Sequence, residues 1–481
     1  MMQKYKSVKF NFVMNFILTI SNFIFPLITF PYASRILGAQ GIGTVTFATS
    51  VITYFSMFGM LGIPTYGIRT CAKVRNDKEK LTKTVQEILL LNITVMIVSM
   101  VLLFISVLII DKLAAQKFLY LIMSISLIFN VLGVDWLYKA LEKYSYITIR
   151  SIIFKFISLI LLFLFVKNPD DYVIYGAITM FAAVGSNALN FYNLRKIIDV
   201  KFSSDLDVKQ HIKPIMTFFM LTVSTTIYVN VDTTMLGFIK GDTEVGFYTA
   251  AVKIKQILVS VVTSLGAVLL PRLAFYYSQN KLKEFRALVK KAMSFVLTLS
   301  IPLAVYFILY AKESIVFLSG EKFIPAVFPM QLILPSVIFI GMSNLMGIQI
   351  LVPTGRERFV VHSTVLGAIV DVVINIFTIP LFGASGAAFA GSIAEFSVMM
   401  IQVYILRDLI LPMIKNIKLW KIALAIILSS VLTTYCIGAL NLSNFLILLS
   451  SGILYFSIYL LILIILKDDF TLSTLKSIKR R

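Results

Sequence analysis

Residues 88–110 read ILLLNITVMIVSMVLLFISVLII, a run of 23 residues without a charged side chain. A helix of about 20 apolar residues crosses the ~30 Å hydrocarbon layer of a bilayer and satisfies its own backbone hydrogen bonds. The composition of the whole chain agrees, because 59% of its 481 residues are hydrophobic and 14% are charged. That is more apolar surface than a soluble core absorbs. The run is therefore predicted to be a transmembrane helix.

Runs of this kind recur along the chain and predict an all-α polytopic membrane protein with about 14 transmembrane helices. The predicted spans are Phe10–Tyr32, Ile42–Ile68, Ile88–Ile110, Phe118–Tyr138, Ile147–Val166, Tyr172–Leu194, Pro214–Ile239, Val245–Pro271, Ala292–Ala311, Pro325–Val352, Phe359–Leu381, Ala384–Leu406, Leu419–Leu440 and Phe445–Leu466.

Basic residues lie at the start of one predicted span and at the end of the next, which places them on one side of the membrane. Most of the 44 lysines and arginines are on the side of the N-terminus. This count includes Lys155, which is taken as a residue at the edge of the membrane. The opposite side holds only Arg35, Lys112, Lys117, Lys167, Lys240, Lys312 and Lys322. Basic loops resist translocation, so both chain ends are predicted to be cytoplasmic. The net charge of +21 is then a topology signal that attracts anionic lipid headgroups, and nucleic-acid binding is not expected.

Soluble enzyme classes are disfavoured by the lengths of the loops. The longest hydrophilic stretches, Arg69–Glu87, Arg195–Lys213 and Arg272–Lys291, are each too short to form a catalytic domain. Neither metal-ligand spacing nor a nucleophile motif is present, and Cys71 and Cys436 lie too far apart in the predicted topology for a disulfide framework. We expect no enzymatic activity, no catalytic residue, no resident metal and no cofactor.

A weak internal repeat predicts two related halves. A shift of 203 residues lays Arg35–Arg69 over Phe238–Arg272 and matches Gly43 with Gly246. The predicted domains are residues 1–194 and 214–406, each with six helices, a cytoplasmic linker at 195–213, and two additional helices with a tail at 407–481. Because six spans return the chain to the same side, a pseudo-two-fold axis along the membrane normal should relate the halves, with a cargo cleft between them.

Several short motifs follow one another along the chain: Tyr32–Gly38, Gly41–Gly43, Leu61–Ile63 with Arg69 and Ala72–Lys73, Val134–Leu137 with Glu142–Tyr144, Val245–Ile254, Leu270–Arg272 and Leu351–Arg356. Taken in this order, they resemble the oligosaccharide-lipid flippases of the Wzx type. This family is part of the multidrug/oligosaccharidyl-lipid/polysaccharide exporter superfamily.

Membership in that family implies a cargo of polyprenyl-pyrophosphate-linked oligosaccharide. The cargo would move from the cytoplasmic to the outer leaflet of a bacterial plasma membrane, for capsule, O-antigen or exopolysaccharide synthesis. The implied partners are membrane lipids, a polysaccharide polymerase and assembly proteins.

Two lysines inside the eighth predicted span agree with an anionic cargo. Lys253 and Lys255 lie about 12 and 15 Å from its outer end, too deep to reach the interface fully. They are expected to face protein or a wet cavity, with Lys253 favoured because the two point to different sides of a helix. Asp232, about 10 Å deep in the preceding span, leaves open a structural Asp232–Lys253 ion pair.

Two further groups are candidate functional residues. Asp371 and Glu395 lie near the predicted midplane, with Asn375 one turn from Asp371, and suit either a proton or sodium relay or a hydrogen bond between packed helices. The second group is Arg35, Arg69 and Arg272, which lie near helix ends. They suit phosphate contact or gating, or anchoring to headgroups.

Other functions remain as alternatives. A cation-coupled drug exporter of the same superfamily would need an acidic, aromatic cavity, whereas lysine is the best-placed charge here. An integral-membrane polysaccharide polymerase would need a larger outer loop than this chain has. A scaffold without transport activity would tolerate charge reversal at Lys253.

Overall fold

A computed structural model describes residues 8–199, 201, 205–264, 266–438 and 442–473. Within these residues all regular structure is helical. The α-helices are α1 Val8–Met60, α2 Ile63–Val74, α3 Lys78–Ile109, α4 Asp111–Ala114, α5 Lys117–Gly133, α6 Asp135–Ala140, α7 Tyr144–Phe165, α8 Tyr172–Met180, α9 Asn187–Leu194, α10 Lys209–Ile239, α11 Asp242–Thr263, α12 Gly266–Ser278, α13 Leu282–Leu309, α14 Ala311–Ser319, α15 Val327–Ile333, α16 Ser336–Asn344, α17 Glu357–Phe382, α18 Ala384–Ile405, α19 Arg407–Lys415, α20 Leu419–Gly438 and α21 Asn444–Ile465.

Short segments of other helical type lie between or within the predicted spans. Pro169–Asp171 and Glu321–Ala326 are 3₁₀ turns, and Phe181–Gly185 and Leu345–Leu351 are π-helical. Such segments are common where a helix bends or changes its hydrogen-bond register. The two chain ends that were predicted to be cytoplasmic, residues 1–7 and 474–481, lie outside the described residues, as do the last two residues of the predicted span Leu419–Leu440.

The all-α membrane fold is confirmed. Among the described residues, twelve helices are long and apolar enough to cross a membrane, or thirteen if the bent pair Glu321–Ile333 and Ser336–Leu351 is one span. The first of them, the stretch Val13–Val74 that contains most of α1 and all of α2, covers 62 residues. It is broken inside α1 at Gly38, where φ is 68° and ψ is −176°. Since glycine adopts positive φ without steric cost, Gly38 separates the first two predicted spans.

The eighth predicted span, Val245–Pro271, differs from the structure. Helix α11 begins at Asp242 and ends at Thr263, and α12 runs from Gly266 through Pro271 to Ser278. The sequence analysis took Pro271 as a helix end, but it lies inside α12. A proline is tolerated inside a membrane helix where neighbouring groups satisfy the carbonyl that it leaves without a donor.

The chain divides into two compact units, Met1–Gly246 and Phe247–Arg481. In the first, Trp136 and Tyr138 of α6 pack with Ile63 and Tyr66 of α2 in a buried core. In the second, Tyr306 of α13 donates to the carbonyl oxygen of Leu448 at 2.8 Å and lies against α21. The predicted limits of two six-helix halves, and the symmetry between them, stay predictions.

Candidate functional site

Asp242 joins three segments of the first unit on the predicted outer side. As the first residue of α11, it accepts a hydrogen bond from Thr44 Oγ1 at 2.7 Å. Lys112 Nζ, from α4, lies 2.6 Å from its other carboxylate oxygen. The same ammonium lies 5.5 Å from the centre of the Phe47 ring. Asp242, Lys112 and Thr44 are called the latch below, because one carboxylate holds three helices together.

Backbone packing brings the latch segments together. A Cβ atom on Gly43 would lie 1.6 Å from the carbonyl oxygen of Asp242, and one on Gly246 would lie 1.9 Å from that of Ala39. Only glycine fits at either position. The contacts are reciprocal, because the 203-residue repeat equates Ala39 with Asp242 as well as Gly43 with Gly246. These four residues are called the glycine crossing.

Contacts between α1 and α10 continue the latch toward the membrane interior. The Phe47 ring packs edge-on against Phe238 at 5.0 Å between centroids and covers Gly237, where a Cβ would lie 2.1 Å from the ring. One turn further, Thr234 Oγ1 and Ser50 Oγ are 3.0 Å apart. The two helices therefore run antiparallel from the latch, with small residues where they approach most closely.

A capped loop lies beside the glycine crossing. A Cβ on Gly41 would lie 3.6 Å from the carbonyl oxygen of Pro169. In that loop the backbone N–H groups of Lys167 and Asn168 donate to the Asp171 carboxylate at 2.9 and 2.8 Å. These bonds fix the shape of the loop.

The two predicted cavity lysines lie near the middle of α11. Since α11 begins at Asp242, Lys253 is about 16 Å and Lys255 about 20 Å along the helix axis from its start, deeper than the sequence indicated. Both side chains are half-buried. Asp232 of α10 is buried, with 9% of its surface exposed. Whether Asp232 and Lys253 form a pair stays a prediction.

The three predicted arginines are exposed. Arg35 donates to the carbonyl oxygen of Pro31 at 3.0 Å, within its own helix. Arg35 precedes the break at Gly38 in α1, whereas Arg69 lies in α2. Between them in the chain runs the second segment of α1, from Gly38 to Met60, which is about 33 Å long at 1.5 Å per residue. The structure therefore does not bring these two together into one phosphate site. Arg272 is the central residue of α12.

Asp371 and Asn375 form a buried polar pair on α17. Asn375 Nδ2 donates to Asp371 Oδ1 at 3.2 Å, and only 2% of Asp371 is exposed. Helix α18 packs closely on α17, since Thr378 donates to the carbonyl oxygen of Gly386 at 3.1 Å. Together with the bond from Gln402 to Ser363, this register puts Asp371 level with residues 393–394. The half-buried Glu395 is thus within about 3 Å of the same depth.

Besides the latch, two polar groups were missed by the sequence analysis. Lys155, counted there with the cytoplasmic edge, lies in the middle of α7 and is buried. A second group links α2, α3 and α10: His211 Nδ1 is 2.6 Å from Tyr66 Oη and its Nε2 is 2.8 Å from Glu87 Oε2. The partners are up to 145 residues apart in the chain, so spacing along the sequence gives no signal for them.

Among the residues that the structure describes, no group of three His, Cys, Asp or Glu side chains could hold a metal ion. The polar groups that do come together are hydrogen-bonded pairs and triads between helices.

Comparison with known proteins agrees with this architecture. A family model described as "Polysaccharide biosynthesis protein" matches residues 8–276, and one described as "MatE" matches residues 216–377. The "Putative O-antigen transporter" of Escherichia coli (strain K12) is 24% identical over 370 residues, covering 76% of this chain and 89% of that protein. The protein of the same name from Shigella dysenteriae is 25% identical over 390 residues, covering 79% and 95%.

A solved structure shares the fold. It is described as "Lipid II flippase MurJ, inward closed conformation" and superposes with a TM-score of 0.75 at 17% identity, covering 94% of this chain and 98% of that one.

Proposed function

The chain belongs to the polysaccharide biosynthesis protein family, and from this we propose that it is a flippase for polyprenyl-pyrophosphate-linked oligosaccharide. The predicted resemblance to Wzx-type proteins of the exporter superfamily is confirmed. The observation that carries the proposal is the family match over residues 8–276, which includes every helix of the latch and the glycine crossing. The names of the two transporter relatives support the same class of cargo.

The proposed site of action is a bacterial plasma membrane, with both chain ends in the cytoplasm. Cargo built on the cytoplasmic leaflet would leave on the outer leaflet as a repeat unit for capsule, O-antigen or exopolysaccharide. A membrane-bound polymerase would be its acceptor, and the basic loops would hold anionic lipids near the entrance.

The proposed mechanism is alternating access. The headgroup enters from the cytoplasm while the polyprenyl tail stays in lipid, and the latch and the glycine crossing close the predicted outer side. Release requires these contacts to separate. Because a ligand shifts a conformational equilibrium only through different affinities for the two states, Lys253 and Lys255 would meet the pyrophosphate in one state and lose it in the other.

A proton or sodium gradient is proposed to drive the cycle through Asp371, Asn375 and Glu395, with Asp232 as a further intramembrane acid. Two carboxylates at one depth on packed helices support this role, since intramembrane acids are costly and are retained for relays or ion sites. The structural alternative, a hydrogen bond that only holds α17 against α18, would leave transport independent of the gradient.

Transport of a fluorescent polyprenyl-pyrophosphate oligosaccharide in proteoliposomes tests the proposal. We expect wild-type protein to expose the label to an outside quencher, and Lys253→Ala and Lys253→Glu to reduce the rate at least tenfold. Lys312→Ala, which removes an exposed lysine near the predicted outer surface, is the control and should keep the wild-type rate. Wild-type protein that leaves the label in its original leaflet would contradict the proposal.

A second candidate is a cation-coupled drug exporter, favoured by the MatE match over residues 216–377. It predicts that cells with the protein gain resistance to lipophilic cations while polymer assembly stays independent of it. The intramembrane lysines argue against it, because they would repel such substrates.

A further inference from the structure

Lys155 is a buried cation in the middle of the first unit. It is the twelfth residue of the 22-residue helix α7, about 16 Å from either end, and only 8% of it is exposed. Its ammonium donates to Ser21 Oγ at 2.8 Å and to Asn22 Oδ1. Both of these partners are neutral, so within the part of the chain that the structure describes the positive charge is solvated by dipoles alone.

A regular seam between α1 and α7 fixes that position. Thr148 donates to the carbonyl oxygen of Met14 at 2.9 Å on one side of Lys155. Tyr32 donates to that of Val166 at 3.0 Å on the other. These bonds and the Lys155–Ser21 contact all join residues 134 apart, so the two helices run parallel in constant register. Along the axis of α7, Lys155 lies about 10 Å from Thr148, where the seam begins, and about 16 Å from Val166, where it ends.

Next to Lys155, α1 carries a polar face. Asn15, Thr19, Asn22 and Thr29 fall within about 80° of the helix circumference, and the first three are exposed. The opposite face holds the exposed apolar side chains of Phe16, Ile20, Ile24 and Leu27. A membrane helix with one exposed apolar face and one exposed polar face turns the first to lipid and the second to a wet cavity.

Lys155 reaches from the packed side of α1 to this polar face. Ser21 lies on the side that packs against α7, whereas Asn22 belongs to the exposed polar face. An ammonium has three donors, and the two contacts use two of them. A charge without a carboxylate partner at mid-membrane depth is costly, and its cost falls when an anion enters the cavity.

We propose that Lys155 and the polar face of α1 bind a phosphoanion. The ligand is the pyrophosphate of the lipid-linked cargo, with sugar hydroxyls on Asn15, Thr19 and Asn22. The inference rests on the proposed function and deepens it, because it adds a cargo contact in α1 and α7 to the lysines of α11. The phosphate of a bilayer lipid is also an anion that this site could bind. The experiment below distinguishes binding of the cargo pyrophosphate from binding of a lipid phosphate.

Binding of geranylgeranyl pyrophosphate to the full-length protein in detergent tests this site. Geranylgeraniol, which lacks the pyrophosphate, and dioleoylphosphatidylglycerol are the comparison ligands. We expect Lys155→Gln to weaken geranylgeranyl pyrophosphate binding at least tenfold and Lys155→Arg to keep it within threefold. The matched control is Lys421→Gln, which alters another buried lysine with neutral partners, the carbonyl oxygens of Leu466 and Lys467 at 2.6 and 2.9 Å.

Asn22→Asp separates a binding role from a structural one. The substitution keeps the shape of the contact and gives Lys155 a permanent carboxylate partner. An anion site predicts a stable protein with at least tenfold weaker pyrophosphate binding, whereas a simple helix pin predicts unchanged binding.

Three outcomes would overturn the inference. In the first, Asn22→Asp and wild type bind geranylgeranyl pyrophosphate equally well. In the second, Lys155→Gln weakens only the binding of phosphatidylglycerol, and in the third it weakens geranylgeraniol binding as much as geranylgeranyl pyrophosphate binding. If wild-type protein transports cargo while Lys155→Gln binds it normally, the proposed flippase function stands and only the Lys155 site is contradicted. If wild-type protein binds no pyrophosphate lipid, both the site and the flippase function are contradicted.

Discussion

At the scale of single residues, the latch is the clearest polar contact of the first unit. Its ion pair is partly exposed, with 33% of the Lys112 and 13% of the Asp242 side chain open. Fully exposed pairs contribute up to about 1 kcal/mol, and breaking a buried one costs about 3–5 kcal/mol. The latch should therefore lie near the low end of this range, which is strong enough to bias a conformation and weak enough to open.

Removal of the ion pair should open the predicted outer side. We expect Lys112→Met or Asp242→Asn to raise the open population about fivefold to tenfold, equivalent to about 1–1.4 kcal/mol. Spin labels on cysteines at the exposed positions Lys117 and Lys240 would report it as a longer distance. The double substitution should add little to either single one, because both remove the same interaction.

The control for the latch is Lys312→Met, which removes an exposed lysine on the same predicted side. If this variant shifts the distance distribution as much as Lys112→Met does, net charge rather than the pair explains the effect.

At the scale of elements, glycine residues determine how closely α11 and the second segment of α1 pack. The glycine crossing lets the first turns of α11 and of the second segment of α1 touch through their backbones. A methyl group cannot be accommodated there by side-chain movement, because the neighbouring atoms are carbonyl oxygens of Asp242 and Ala39. The seam between α1 and α7 works differently, with hydrogen bonds that join side chains to the backbone.

Alanine at the crossing should separate the two segments. We expect Gly246→Ala to lower transport at least fivefold and to increase the open population seen by the same spin labels, since overpacking costs about 1–3 kcal/mol. Gly438→Ala is the matched control, because no atom lies within 4 Å of the Cβ that it adds to α20. A Gly246→Ala protein with the wild-type distance distribution would refute the closed crossing.

At the scale of the whole molecule, hydropathy and the basic loops were enough to predict the helices. They did not predict the polar contacts between residues that are distant in the sequence. Lys112 was classed as a loop residue and Lys155 as a membrane-edge residue, since a count of charges records neither depth nor contact. The match of Gly43 with Gly246 was visible as a repeat, but its reciprocal packing was not. Pro271 misled because proline was read as a helix end.

The central claim is transport by a protein whose predicted outer side must open, and a disulfide across the latch tests it directly. In a Cys71→Ala/Cys436→Ser background, which removes both native thiols, Thr44→Cys and Asp242→Cys place two thiols at positions whose native side chains touch. Flipping of labelled polyprenyl-pyrophosphate oligosaccharide would be measured in proteoliposomes before and after reduction, with cross-linking verified by mass. The account predicts no flipping when the bond is oxidised and, when it is reduced, flipping at the rate of a Thr44→Ala/Asp242→Ala protein in the same background. Equal flipping in both states, or none in either while the background protein is folded, would contradict it.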